Sequence, residues 1–114
     1  MATGRMRRVD EAIRQVIGDA VATELKDPRV GFITVTDVRT STDLSHARVY
    51  VSVLGDREQR DATMAGLRSA HGFLQGKVAA ELHLKRTPTL ELYYDDTTDR
   101  ALRVDALIDE IGQP

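Results

Sequence analysis

The chain has 114 residues, no cysteine and no tryptophan, and 16 lysines and arginines against 18 acids, for a formal net charge of −2. That length suits one domain with a single core, and the missing cysteines exclude a disulfide framework or a thiolate metal cage. No apolar run reaches membrane-spanning length and the start lacks a signal peptide's apolar core, so a soluble cytoplasmic domain is expected.

Over about 5–25, Met6, Val9, Ile13, Val16, Ile17, Ala20 and Val21 recur at the spacing of one helical face. Arg7, Arg8, Glu11, Arg14 and Gln15 fall on the other side. Gly18 weakens this helix by about 1 kcal/mol relative to alanine, which implies a close contact or simple tolerance. Asp27-Pro28 ends it, because the residue before proline avoids the helical region.

The run 30–38 is rich in β-branched residues and predicts a strand. Thr40, Ser41, Thr42 and Asp43 favour a turn by bonding nearby backbone. Beyond it, Ala47, Val49, Val51 and Val53 alternate with His46, Arg48, Tyr50 and Ser52. The pattern is an antiparallel hairpin with one dry face and one wet face.

Gly55 stops that strand, and Asp56 or Asp61 can cap a helix. Met64, Leu67, Ala70, Leu74, Val78 and Leu82 continue at steps of three and four, interrupted by Gly66 and Gly72. Glycine in mid-pattern favours a bend, so two helical pieces joined at Ala70, His71 and Gly72 are expected. Lys85-Arg86-Thr87-Pro88 breaks the helix. A third strand follows over 89–94, with Leu90, Leu92 and Tyr94 on one side and Glu91 and Tyr93 on the other. After the polar turn 95–99, a short helix from about Arg100 carries Leu102, Leu107, Ile108 and Ile111.

These elements predict an α+β two-layer sandwich over residues 5–111, with tails at 1–4 and 112–114. Ile33, Val35, the 47–53 alternation, Leu90 and Leu92 form its floor, and Ile13, Val16, Leu67 and Leu74 its roof. Thr34, Thr36, Arg48, Tyr50 and Tyr93 are left for solvent or a partner.

An acidic chain can bind nucleic acid only through locally clustered cations. Arg5, Arg7 and Arg8, then Lys85 and Arg86, are such clusters, although a charged terminus is more often merely solvated. Asp95, Asp96 and Asp99 have the oxygens a hard cation takes, but a turn before a helix explains them as caps. His46, His71 and His83 lack metal-ligand spacing, and no Walker loop or nucleophile elbow is present. No catalytic residue, metal or cofactor is therefore expected. Tyr50 and Tyr93 can stack on bases, though cross-strand packing is the simpler use. A protein-binding adaptor that pairs through a sheet edge is the alternative reading.

Several runs together resemble the bacterial ribosome-binding factor A family. They are Lys26-Asp27-Pro28-Arg29 through Ile33-Thr34-Val35-Thr36-Asp37-Val38, then Asp43-Leu44-Ser45 and Ala47-Arg48-Val49-Tyr50-Val51-Ser52-Val53. Ala70-His71-Gly72-Phe73-Leu74 and Arg86-Thr87-Pro88-Thr89-Leu90 complete the likeness, with the acidic stretch around Asp96. The resemblance implies a type II KH-like domain of order α-β-β-α-α-β. In this family an Ala-x-Gly kink, here Ala70, His71 and Gly72, replaces the usual GxxG loop. It further implies a monomeric, non-enzymatic, cofactor-free protein. Such a protein binds the small (30S) ribosomal subunit and its 16S rRNA late in assembly, assists maturation of the RNA ends and supports growth in the cold. The chain stops soon after the last helix, without the longer tail of some members, so contacts through such a tail are set aside.

A helix N-terminus attracts phosphate, and a glycine there lets backbone approach closely. With few aromatics, shape and phosphate contacts should dominate over base stacking. The expected RNA contacts are Arg5, Arg7, Arg8, Arg14, Arg68, His71, Gly72, Lys77, Lys85 and Arg86.

Overall fold

Ala47, Val49 and Val51 are fully buried while His46 and Arg48, which alternate with them, are exposed, so the sheet has one covered and one open face. The computed structural model describes residues 4–96. In chain order it contains α1 (Gly4–Thr23), β1 (Ile33–Thr40), β2 (His46–Val53), α2 (Arg57–Ser69), α3 (His71–Leu82) and β3 (Thr89–Tyr94). The order is the expected one. Asp99 and the helix expected from about Arg100 lie outside the described residues.

The strands are ordered β1-β2-β3, with β1 antiparallel and β3 parallel to the central β2. A parallel neighbour needs a long crossover, and α2 and α3 supply it. All three helices help cover the dry face. Ile13, Ile17 and Ala20 from α1, Met64 and Leu67 from α2, and Leu74 and Val78 from α3 meet the strand valines and leucines in one core. Each large aliphatic side chain so buried contributes about 1.5–3 kcal/mol.

β1 departs from simple alternation. Val35 pairs with Val51 and Asp37 with Tyr50, so Thr36 is an extra residue, a β-bulge. The bulge resets the period, and Val38 joins Val35 in the core although the two are three apart. The strand also begins later than the 30–38 reading. The preceding stretch is held as a connection: the Thr63 hydroxyl donates to the Arg29 carbonyl at 3.1 Å and accepts from the Gly31 amide at 3.3 Å.

The helix ends follow local chemistry. Asp56 caps α2 in a reciprocal box with Gln59, each side chain meeting the other's amide at 2.8 Å. Gly55 before it has φ 135°, a value that disfavours any side chain. The bend between α2 and α3 falls at Ala70, with φ −89° and ψ 12°. Its amide bonds back to both Gly66 and Leu67 carbonyls at 3.1 Å, and the Leu74 amide takes up the new helix from the Ala70 carbonyl. That backbone conformation is open to any L-residue, so the bend does not depend on glycine. Gly72 already lies in the first turn of α3, exposed, where a Cβ would meet nothing within 4 Å. The close-packed glycine is Gly66, whose Cβ would stand 2.7 Å from Val30 Cγ2. Gly18 has open space around it, which favours the reading of tolerance.

Candidate nucleic-acid interface

Separate stretches of sequence bring their cations to one end of the sheet. The Asp10 carboxylate accepts the Thr40 amide at 3.0 Å, fixing the N-terminal half of α1 where β1 ends. Farther along, Gly18 and Asp19 lie beside Ile33 and Thr34, so α1 runs antiparallel to β1. Arg7 and Arg8, which precede Asp10 and are exposed, therefore stand at or past the end of the sheet. The Thr89 amide donates to the Ser45 carbonyl at 2.9 Å, so the loop 83–88 enters β3 at this same end. That loop carries Lys85 and Arg86, both exposed. Arg7, Lys85 and Arg86 have no ion-pair partner among the described residues. Arg5 is in the first turn of α1, and its side chain lies outside what is described.

Between these elements the 41–45 turn is tightly made. Asp43 accepts the hydroxyls of Ser41 and Ser45, each at 2.7 Å, and the Ser45 amide at 3.1 Å. These donors, the Ser45 hydroxyl foremost, hold the Asp43 carboxyl far below the usual carboxylate range. Leu44 takes a left-handed conformation, φ 61°, to close the turn.

Of the residues expected as contacts around the helix bend, Arg68, His71 and Lys77 bond within the fold. β3 is an edge strand, and three side chains occupy its outer rim. His71 Nε2 lies 2.8 Å from the Leu90 carbonyl, and Arg68 donates to the Leu92 carbonyl at 3.3 Å. Gln75 spans two backbone groups, donating to the Pro88 carbonyl at 2.6 Å and accepting the Leu90 amide at 3.0 Å. This rim of β3 is therefore not open to an added strand, which counts against an adaptor working there. Lys77 ties α3 to Glu24, just past the end of α1, at 2.9 Å, and the Glu24 hydrogen bond raises its pKa. Arg14 pairs with Glu11 on α1, which raises the pKa of Arg14 and lowers that of Glu11. Gly72 stays exposed, and no side chain caps the start of α3.

On the open face, Tyr50 and Tyr93 stack on one another with ring centroids 5.6 Å apart, as cross-strand packing requires. The sequence reading left this face to solvent or a partner and did not count Arg39 and Arg48 among the basic groups. The hairpin register opposes them directly. Asp95 accepts the Thr36 hydroxyl at 2.6 Å. Among the described residues, no cluster of three or more His, Asp or Glu can hold a metal, and no helix is long and apolar enough to cross a membrane.

A family model for ribosome-binding factor A matches residues 5–108. The crystal structure of ribosome-binding factor A from Thermus thermophilus is similar at 27% identity, over 78% of this chain and 94% of that one, with TM-score 0.67. A solution NMR structure of a Thermotoga maritima protein of that description is 32% identical, over 82% and 89%, with TM-score 0.71. Thermus thermophilus ribosome-binding factor A as fitted into the cryo-EM map of a 30S complex is 26% identical, over 76% and 91%, with TM-score 0.63.

Proposed function

The chain belongs to the ribosome-binding factor A family, and on that premise we propose that it binds the free small (30S) ribosomal subunit through 16S rRNA. The observation that carries this reading is that, in a chain of net charge −2, Arg7 and Arg8 lead into Asp10 at the end of β1 and the loop of Lys85 and Arg86 enters β3 at that same end of the sheet. A relative fitted into a 30S complex supports the choice of subunit. The role is binding without catalysis or cofactor. The chain acts in the cytoplasm as a monomer during late assembly, assisting maturation of the 16S ends and growth in the cold.

Read as a KH-like domain over 5–111, the chain offers RNA the uncapped start of α3 beside Gly72, where helix dipole and backbone amides favour phosphate. Arg68, His71 and Lys77 are engaged within the fold, so the proposed phosphate contacts concentrate on Arg7, Arg8, Lys85 and Arg86. Arg5 and Arg14 belong to the same helix, α1.

Pelleting with purified ribosomal subunits tests this. The chain should bind small subunits and not large ones. Arg7→Glu with Arg8→Glu should weaken that binding and flatten its salt dependence by about two units of logarithmic slope. Equal binding to both subunits, or none to the small one, would refute the reading.

A further inference from the structure

We propose that the open face of the sheet carries a second RNA contact, a phosphodiester site centred on Arg39 and Arg48. In the β1–β2 register these two arginines stand directly opposite each other, and both are exposed. Like charges in that position repel, and the fold offsets the repulsion on one side only. Arg39 has Asp37 at 2.8 Å. The Arg48 side chain makes no ion pair or hydrogen bond among the described residues. Its register neighbour on β3 is Glu91, the acid best placed to neutralise it. That carboxylate is turned to other groups, accepting the Tyr93 hydroxyl at 2.7 Å and facing His46 Nδ1 at 3.3 Å.

The surface is also shaped to receive a ligand. Arg39, Thr40, Ser41, His46, Arg48 and Glu91 line a depression of about 380 Å³. Arg48 brings a planar donor fork with no protein partner among the described residues, and Arg39 opposite it, held by Asp37 through Nε, adds a second guanidinium of the kind that matches phosphate oxygens. Beside this row the stacked Tyr50–Tyr93 pair, with Tyr93 40% exposed, offers a flat surface to a sugar or base.

Location selects RNA as the occupant. The Arg39–Arg48 pair is one step along the ladder from Thr40–Ala47, at the end of the sheet where Arg7, Arg8, Lys85 and Arg86 gather. A strand held there has a short path around the end of the sheet onto the open face. With Glu91 and Asp37 on the rim, a lone phosphate ion binds weakly. An RNA already tethered nearby supplies its phosphate at high effective concentration. The identity of that RNA rests on the proposed function; the opposed arginines do not.

The test is a salt titration of small-subunit binding by the full chain, comparing wild type with the Arg39→Gln/Arg48→Gln double variant, with thermal melts alongside. The variant should lose affinity several-fold and about one to two units of salt slope, with its melting temperature unchanged or raised. Arg48→Lys, which keeps the charge but loses the fork, should keep the slope and lose part of the affinity. Should the double variant fail to fold, Arg48→Gln alone decides by the same slope. Wild-type slope and affinity in the glutamine variants would overturn the site and leave the proposed function standing. If wild type ignores small subunits, NMR of the arginine Nε–H groups with decauridylate decides. Shifts at Arg39 and Arg48 keep the site while the function reading fails, and their absence ends both.

Discussion

On the helix-covered side of the sheet, Leu67, Leu74 and Val49 are fully buried, and Arg68, His71 and Gln75 turn their polar atoms onto the rim of β3. On the open side, Arg39 faces Arg48, and Arg48 is unpaired among the described residues. The contrast separates polar residues whose groups the fold satisfies, Arg39 through Asp37 among them, from Arg48, whose side chain it does not. Nearness to a helix bend does not decide between these uses; whether the fold already satisfies the group does. Lys77 and Arg48 are both cations on a small domain, yet one is paired with Glu24 while the other's side chain has no ion-pair or hydrogen-bond partner among the described residues.

The strongest way to break this contrast is Leu67→Ala. A cavity at a fully buried leucine joining α2 to the sheet should cost about 2–5 kcal/mol in urea unfolding. A loss under about 1 kcal/mol would mean the covered side does not carry the stability assigned to it. Next, Gln75→Leu strips partners from the Leu90 amide and Pro88 carbonyl together and should cost about 1–3 kcal/mol by the same measurement. A neutral result would show that water replaces Gln75 and that the β3 rim is effectively open.

The two glycines beside the bend sharpen the contrast further. Gly66→Ala drives a Cβ to 2.7 Å from Val30, so a clash of about 1–3 kcal/mol outweighs a helix-propensity gain of about 1 kcal/mol or less. Gly72→Ala meets open space and should leave stability unchanged or raise it by up to about 1 kcal/mol. Thermal melts that rank the two the other way would place the packing constraint at Gly72.

The smallest effect concerns pH. The folded Asp43 carboxyl is held below its unfolded value of about 3.9 by the Ser41 and Ser45 donors. Its contribution is therefore present above about pH 4 and fades as pH falls toward the depressed folded value. Asp43→Asn should lower stability at neutral pH and flatten its decline in acid. An unchanged acid limb would show that the turn does not depend on that charge.

Much of this was legible in the residues. The third strand was bounded correctly over 89–94, because its alternation is clean and a proline precedes it. The bend was located within 70–72 from glycine in mid-pattern, whereas the chain breaks at Ala70 and Gly72 already belongs to α3. The bulge at Thr36 was not legible: threonine is as β-branched as its neighbours, and nothing local marks it as unpaired. Gly66 looked like a flaw in a helix because its reason, Val30, lies on another segment. The rim formed by Arg68, His71 and Gln75 depends on where β3 docks, which no local pattern states. Arg39 opposite Arg48 was not legible, since a turn over 40–43 sets another register and only the observed turn at 41–45 places those two residues across from each other.

The most direct test is arginine modification by a glyoxal reagent, read by mass spectrometry, with and without saturating small subunits. The expected result is protection of Arg7, Arg8, Arg39, Arg48 and Arg86, with Arg68 reacting equally in both samples. Protection confined to Arg68, with the other five reacting as in the free chain, would contradict the division between residues that hold the fold and residues that meet RNA.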